Sequence, residues 1–130
     1  MRGHSTFDYA VLRVVPRVER EEFINAGVIL YCRARDFLAA RSELDLERLK
    51  ALAPEIDVPL VQEHLATFER IAHGGKDAGP IGQLTQAERF HWLTSPRSTI
   101  LQTSPVHSGL CANPAAALER LMEQMVRRGP

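Results

Sequence analysis

Two groups of polar residues are spaced closely enough to act together. The first is Arg13, Glu21, Glu22 and Asn25. Asn25 stands just before an apolar run, and an antiparallel return of the chain would bring it near the end of the segment carrying Arg13. In a structural reading Asn25 satisfies backbone groups at a turn or bulge and a glutamate holds Arg13. In a functional reading the group is a polar site facing a ligand or a partner. Buried polar groups are usually satisfied internally, which weighs toward structure. The second group is Arg89, His91, Trp92, Ser95, Arg97, Ser98, Gln102, Ser104 and His107. Arg89 and Trp92 are three apart and can share a helix face. The Ser95-Pro96-Arg97-Ser98 turn gathers hydroxyls and a guanidinium. Arginine grips carboxylates and phosphates with two parallel donors, and tryptophan anchors interfaces, so the chemistry would be an anion pocket or a docking surface. A core tryptophan beside ordinary turn residues explains the same pattern, and both readings stand.

Established reaction motifs are absent. The chain has no phosphate-binding P-loop, GxGxxG, GxSxG, HExxH, CxxC pair or calcium loop. Its histidines, His4, His64, His73, His91 and His107, include no pair four apart with a carboxylate between them, so no metal site is expected, and no cofactor. His64 and His73 read as solvated helix positions. Ser108 follows His107, but adjacency in sequence carries no hydrogen-bond geometry. Catalytic triads are recognised by geometry rather than order, so whether the chain is an enzyme stays open.

The elements that must position these residues follow from periodicity. Phe7 to Val15 sets Tyr9, Val11, Arg13 and Val15 on one face and Ala10, Leu12 and Val14 on the other, a strand covered on both sides that Pro16 ends. Ile24 to Cys32 is a second strand, with Gly27 marking a bulge or a close backbone approach. Arg33 to Asp36 is a turn, and Phe37 to Arg41 a short third strand. Leu46, Leu49 and Ala53 share a helix face that Pro54 closes. Asp57 caps the next helix, where Val58, Val61, Leu65, Phe68 and Ala72 recur at three and four, and Gly74 and Gly75 end it. Lys76 to Gln83 is a loop. Thr85 and Glu88 form a capping box that opens a short helix to Leu93. Thr99 to Thr103 is a strand, and Ser104 to Ala112 is irregular. Asn113-Pro114 starts a last helix with the stripe Leu118, Leu121, Met122 and Met125, closed by Arg127-Arg128-Gly129. The order β-β-β-α-α-α-β-α predicts an α+β domain, an antiparallel sheet with helices packed on it.

At 130 residues the chain has the length of one domain over 1–130. Lys plus Arg and Asp plus Glu are each 16, so the net charge is zero. Zero charge opposes bulk attraction to nucleic acid or membrane and favours self-association as a homo-oligomer. All the cations except Lys50 and Lys76 are arginines. Met1 to Phe7 has no apolar run, so a secretory signal is not expected. The apolar run Ala26 to Cys32 is too short to cross a bilayer. Cys32 and Cys111 indicate neither a metal site nor a disulfide framework, and a cytoplasmic protein with reduced thiols is expected.

Two blocks carry a resemblance. Tyr9-Ala-Val-Leu-Arg-Val-Val-Pro16 followed by Glu22-Phe-Ile-Asn-Ala-Gly-Val-Ile-Leu30 resembles the opening of the bacterial domain-of-unknown-function family 3037. Glu88-Arg-Phe-His-Trp-Leu-Thr-Ser-Pro96, Ile100-Leu-Gln-Thr-Ser-Pro-Val-His-Ser-Gly109 and Asn113-Pro114 resemble its later part. The matched positions include Arg13, Glu22, Asn25, Gly27, Arg89, Trp92, Ser95 and His107. What the resemblance implies is a small stand-alone bacterial protein acting as partner or regulator of a HipA-like serine/threonine kinase. The first functional reading is therefore a protein-interaction or accessory module. The alternative is a small enzyme or ligand-binding protein that takes an anionic substrate through Arg13, Arg89, Arg97 and His107, which requires the two polar groups to meet in one pocket.

Overall fold

A computed structural model describes residues 3–127. Five strands, β1 (Ser5–Val14), β2 (Ile24–Cys32), β3 (Phe37–Ser42), β4 (Leu101–Thr103) and β5 (His107–Cys111), form one antiparallel sheet. Four helices, α1 (Leu46–Leu52), α2 (Val58–His73), α3 (Gln86–Thr94) and α4 (Pro114–Met125), cover it. The α+β architecture is the expected one. Asp57, Thr85 and Asn113 each accept a backbone N–H at the start of α2, α3 and α4, and the reciprocal capping box of Thr85 and Glu88 is present. Asp45 does the same for α1. The Lys76 to Gln83 loop contains two short 3-10 turns. Arg128 and Gly129, read as closing the last helix, lie outside the described residues.

One expectation is corrected. The stretch from Ser104 to Ala112 is not irregular throughout, because His107–Cys111 is a strand paired with β1 from Ser5↔Cys111 to Tyr9↔His107. Its residues, His-Ser-Gly-Leu-Cys, carry no β-branched or aromatic side chain, so propensity gave no signal and pairing with β1 decides the conformation. β4 pairs the other end of the same β1 edge, Leu12↔Thr103 to Val14↔Leu101. Ser104 joins the two. Its backbone N–H donates to the Val11 carbonyl at 2.9 Å, and its hydroxyl oxygen accepts the Val11 N–H at 2.8 Å. The hydroxyl thus stands in for a ladder carbonyl where Pro105 bends the chain.

The sheet divides two cores. α1, α2 and α3 enclose the larger one, with Leu12, Val14, Ile24, Ala26, Ile29, Leu38 and Ala40 from the strands. α4 closes the smaller one over Phe7, Val28, Leu30 and Cys32. Each fully buried Leu, Ile or Phe contributes about 1.5–3 kcal/mol. Along β2 the inward set changes phase: Ile24 and Ala26 enter the larger core, while Val28, Leu30 and Cys32 enter the smaller one. The register explains it. Leu12 pairs with Gly27 and Arg13 with Asn25, so Ala26 is an extra residue, a β-bulge. A Cβ at Gly27 would lie 2.4 Å from the Arg41 carbonyl oxygen and 3.1 Å from Leu12 Cδ1. Both meanings offered for this glycine, bulge and close approach, hold at once.

Gly27→Ala is therefore expected to cost about 1–3 kcal/mol through overpacking against backbone that cannot retreat. Chemical denaturation would check this, and a loss below ~0.5 kcal/mol, the range of neutral surface changes, would show that β2 and β3 separate easily.

Candidate functional site

The short helix α3 places most of the second polar group on the side of the sheet that carries the larger core. Arg89 is only 8% exposed. Its Nη1 donates to the Leu84 carbonyl at 2.6 Å and its Nη2 to the Ala72 carbonyl at 3.4 Å. Ala72 lies in the last turn of α2, where carbonyls lack helical partners and the helix dipole is negative, so the guanidinium closes that helix end. Gly74, at φ 82°, lies against it: a Cβ there would sit 3.0 Å from Arg89 Cζ. Arg97 does the same for α3, donating to the carbonyls of Leu93 (2.9 Å) and Trp92 (2.7 Å). Its Cζ also lies 4.9 Å from the Trp92 ring centre and 5.1 Å from that of Phe68. Burial between these rings pushes the Arg97 pKa down. Ser95 Oγ donates to the His91 carbonyl at 2.6 Å. Arg89, Arg97 and Ser95 thus direct their donors to main-chain carbonyls at helix ends, and Trp92 packs on the larger core.

The first group lies on the other side. Arg13 and Asn25 are cross-strand partners on the face covered by α4. Asn25 Nδ2 donates to the Met125 carbonyl at 3.0 Å, pinning the end of α4. The Arg13 guanidinium stacks on Phe23, with Cζ 4.2 Å from the ring centre. Glu22 pairs with Arg20, not with Arg13. His107 is exposed on β5, its ring 5.5 Å from that of Tyr9. It therefore shares the Arg13 face and not the Arg89 face. The four Arg13↔His107-type candidates for one anion pocket are split by the sheet: Arg13 and His107 on one side, Arg89 and Arg97 on the other.

Two concavities exist elsewhere. A cleft of about 690 Å³ lies between the β1–β2 connection and the α1–α2 connection, lined by Pro16, Arg17, Arg20, Glu22, Leu52 and Ile56 among others. Glu22 is the one candidate residue on its wall. A second, of about 370 Å³, lies at the end of α2 beside Glu69, Arg70 and His73. Among the described residues, no group of three or more His, Cys, Asp or Glu is placed to hold a metal ion. No helix among them is long and apolar enough to cross a membrane. The two cysteines are free and buried. Burial, and then the neighbouring Cys32, push the Cys111 thiol up.

Comparison with protein families gives one match: the family described as "Protein of unknown function (DUF3037)" covers residues 9–126. The chain belongs to the DUF3037 family. No curated protein and no solved structure matches it. The DUF3037 match begins within β1 and runs through α4, including the β5 segment whose strand character the sequence did not disclose.

Sequence reading also missed three features of this DUF3037 chain. Phe23, the platform under Arg13, precedes β2 and is 43% exposed, which is unusual enough for an aromatic residue to have drawn notice. Arg127 was read only as a favourable charge at a helix end, yet it binds Glu43, Glu119 and Glu123, while Arg41 of β3 also binds Glu119. Glu123 stands four before Arg127, a helical spacing, but no local pattern joins Arg127 to Glu43 or Arg41 to Glu119. The third is composition: from Ser98 to Leu118 no residue is Asp, Glu, Lys or Arg. That stretch contains β4 and β5.

The Arg127 network makes a pH prediction. Hydrogen bonding to Arg127 lowers the pKa of Glu43 and of Glu119 below 4.5. Depressed carboxylate pKa values contribute stability above the unfolded value, and that contribution is lost as pH falls through the folded values. Arg127→Met is expected to be less stable than the natural chain at neutral pH, with the difference shrinking as pH drops below the carboxylate range. Thermal unfolding of both chains across that range checks it; a difference independent of pH would show that packing, not charge, is what Arg127 contributes.

Proposed function

We propose that this DUF3037 chain is a protein-interaction module whose contact surface is the β5 edge of the sheet, and that it binds an extended, uncharged segment of a partner protein as an added strand. The observation that carries the reading is the chemistry of that edge. Among the described residues β5 pairs only with β1, and no strand of theirs pairs its outer side. Open edges are ordinarily guarded by charge, bulges or cover, because their free backbone groups recruit other strands. The opposite edge, β3, is guarded in this way: Arg33, Arg35 and Asp36 precede it, Arg41 lies within it and Glu43 follows. The β5 edge, from Val106 to Cys111, carries no Asp, Glu, Lys or Arg.

Its side chains fit an apolar, strand-forming partner. Val106 and Leu110 are 47% and 57% exposed and fall in phase on one face, with Ser108 between them donating to Asp8 at 2.7 Å. Added strands gain affinity from main-chain hydrogen bonds and specificity from alternate side chains. Among partner chemistries, an uncharged alternating segment is the one that desolvates no unpaired charge on this edge. The HipA-like kinase that the family resemblance implies is the first partner to assay.

The experiment compares capture of partners by tagged natural chain, by Leu110→Lys and by a control, Gln62→Lys on exposed α2. Leu110→Lys introduces a guarding charge at an exposed site and is expected to change stability by no more than about 0.5 kcal/mol. A partner segment identified this way is then titrated as a synthetic peptide. Binding by the natural chain and the control, at least tenfold weaker in Leu110→Lys, with shifts centred on β5, is the expected result. Equal binding by all three removes the edge from consideration. Concentration-dependent dimers abolished by Leu110→Lys would replace the foreign segment with a second copy.

A further inference from the structure

Among the described residues, four arginines are less than fully exposed: Arg13, Arg89, Arg97 and Arg127. Three of them donate hydrogen bonds or meet carboxylates, Arg89 and Arg97 through two carbonyls each and Arg127 through three carboxylates, although the Arg89 Nε is itself buried without a partner. Arg13 differs. Among the described residues it donates no hydrogen bond and meets no carboxylate, and its Nε is buried without a partner. Opposite it on β2, Asn25 Oδ1 is likewise buried without a partner among them. A buried donor or acceptor left unpaired costs about 1–3 kcal/mol, and a charged one costs more. Such groups in native folds have a reason, commonly an unseen ion or a function.

The local geometry indicates which reason. Arg13 places its Cζ over the Phe23 ring, 4.2 Å from the ring centre, and Phe23 is 43% exposed. A guanidinium held on a ring by its face keeps its in-plane N–H groups free, and that fork matches the two oxygens of a carboxylate or phosphate. Neighbouring groups do not compete for it. The carboxylate of Glu22 is taken by Arg20.

We propose that Arg13, stacked on Phe23 and backed by Asn25, is an oxyanion-binding site that grips a carboxylate or phosphate through its guanidinium fork. It is independent of the β5 edge and would stand if that reading failed. The shared chemistry is a pair of anionic oxygens, supplied either by a small free ion or by an acidic side chain of a bound protein.

The test is a titration of isotope-labelled full-length chain, followed at the Arg13 Nε–H and the Asn25 side-chain amide by NMR. The probes are inorganic phosphate, acetate, and a neutral peptide carrying a single glutamate, each in low-salt buffer. Saturable movement of both signals, with those of Arg89 and Arg97 unmoved, is expected. Response to the free ions assigns the site to small anions; response to the peptide alone assigns it to a protein's carboxylate. Arg13→Lys keeps the charge and loses the fork, and is expected to weaken the Asn25 response about tenfold or more, the size of one charge-assisted bond. No saturable movement would overturn the proposal, as would equal movement at exposed Arg17, or full retention in Arg13→Lys. An Arg13 Nε–H that exchanges as slowly as that of Arg127, which donates to Glu43, in anion-free buffer would overturn it too, since the donor would already have a partner.

Discussion

The extra residue in β2 is the constraint on which the rest of the structure depends. Without the bulge at Ala26 and Gly27, the alternation that sends Val28, Leu30 and Cys32 toward α4 would continue to Ala26 and Ile24. Asn25 would then project into the larger core, where its amide would be buried among apolar groups at a cost of ~1–3 kcal/mol or more. The bulge reverses this in one step. Ile24 and Ala26 join the larger core, and Asn25 turns toward Met125. It also seats Asn25 opposite Arg13, so the orphaned donor and acceptor arise from the same backbone event. Glycine is required at position 27 because the chain there runs against the Arg41 carbonyl and Leu12.

Arginine is used here mainly as an internal fastener. Helix C-termini expose carbonyls that no backbone donor reaches, and a planar fork can serve two at once. Arg89 and Arg97 act this way for α2 and α3, while Arg127 gathers carboxylates from the β3–α1 connection and from α4. Lysine, with a single point charge, could not bridge such pairs in the same manner. The bias toward arginine over lysine is thus consistent with bidentate contacts within the fold. Among the described arginines that are not exposed, one with no acceptor at all is an exception, and it draws its weight from the other three.

Local signals in the sequence were read correctly wherever the chain carries its own instructions. Asp57, the Thr85–Glu88 box and Asn113-Pro114 fix helix starts by contacts three residues long, and Gly27 announced the bulge. What was not legible is whatever depends on distant partners. β5 has no strand propensity of its own and exists because β1 offers an edge. Arg127 and Glu43 meet across most of the chain. The separation of Arg13 and Asn25 from Arg89 and Arg97 by the sheet follows from α3 and α4 packing on opposite faces, which periodicity along one element does not reveal. Residues such as Arg89 and Ser95 looked chemical because capping a helix uses the same donors as binding a ligand.

The two edges of the sheet received different treatment from one sequence, and that difference bears on function more directly than any pocket. β3 lies beside α2 and α4, and its charged flank is tied down by Glu119. β5 has equal need of protection and the same means were available in a chain that is one-quarter charged. Charge is instead missing across the whole β4–β5 stretch, although exposed Leu110 is the kind of position where lysine would be harmless to the fold. An unguarded edge is a hazard to a protein that works alone, because it invites non-specific pairing. It is a benefit to a protein whose work is to pair. The zero net charge of the chain acts in the same direction, since it places no long-range repulsion between this edge and an approaching strand.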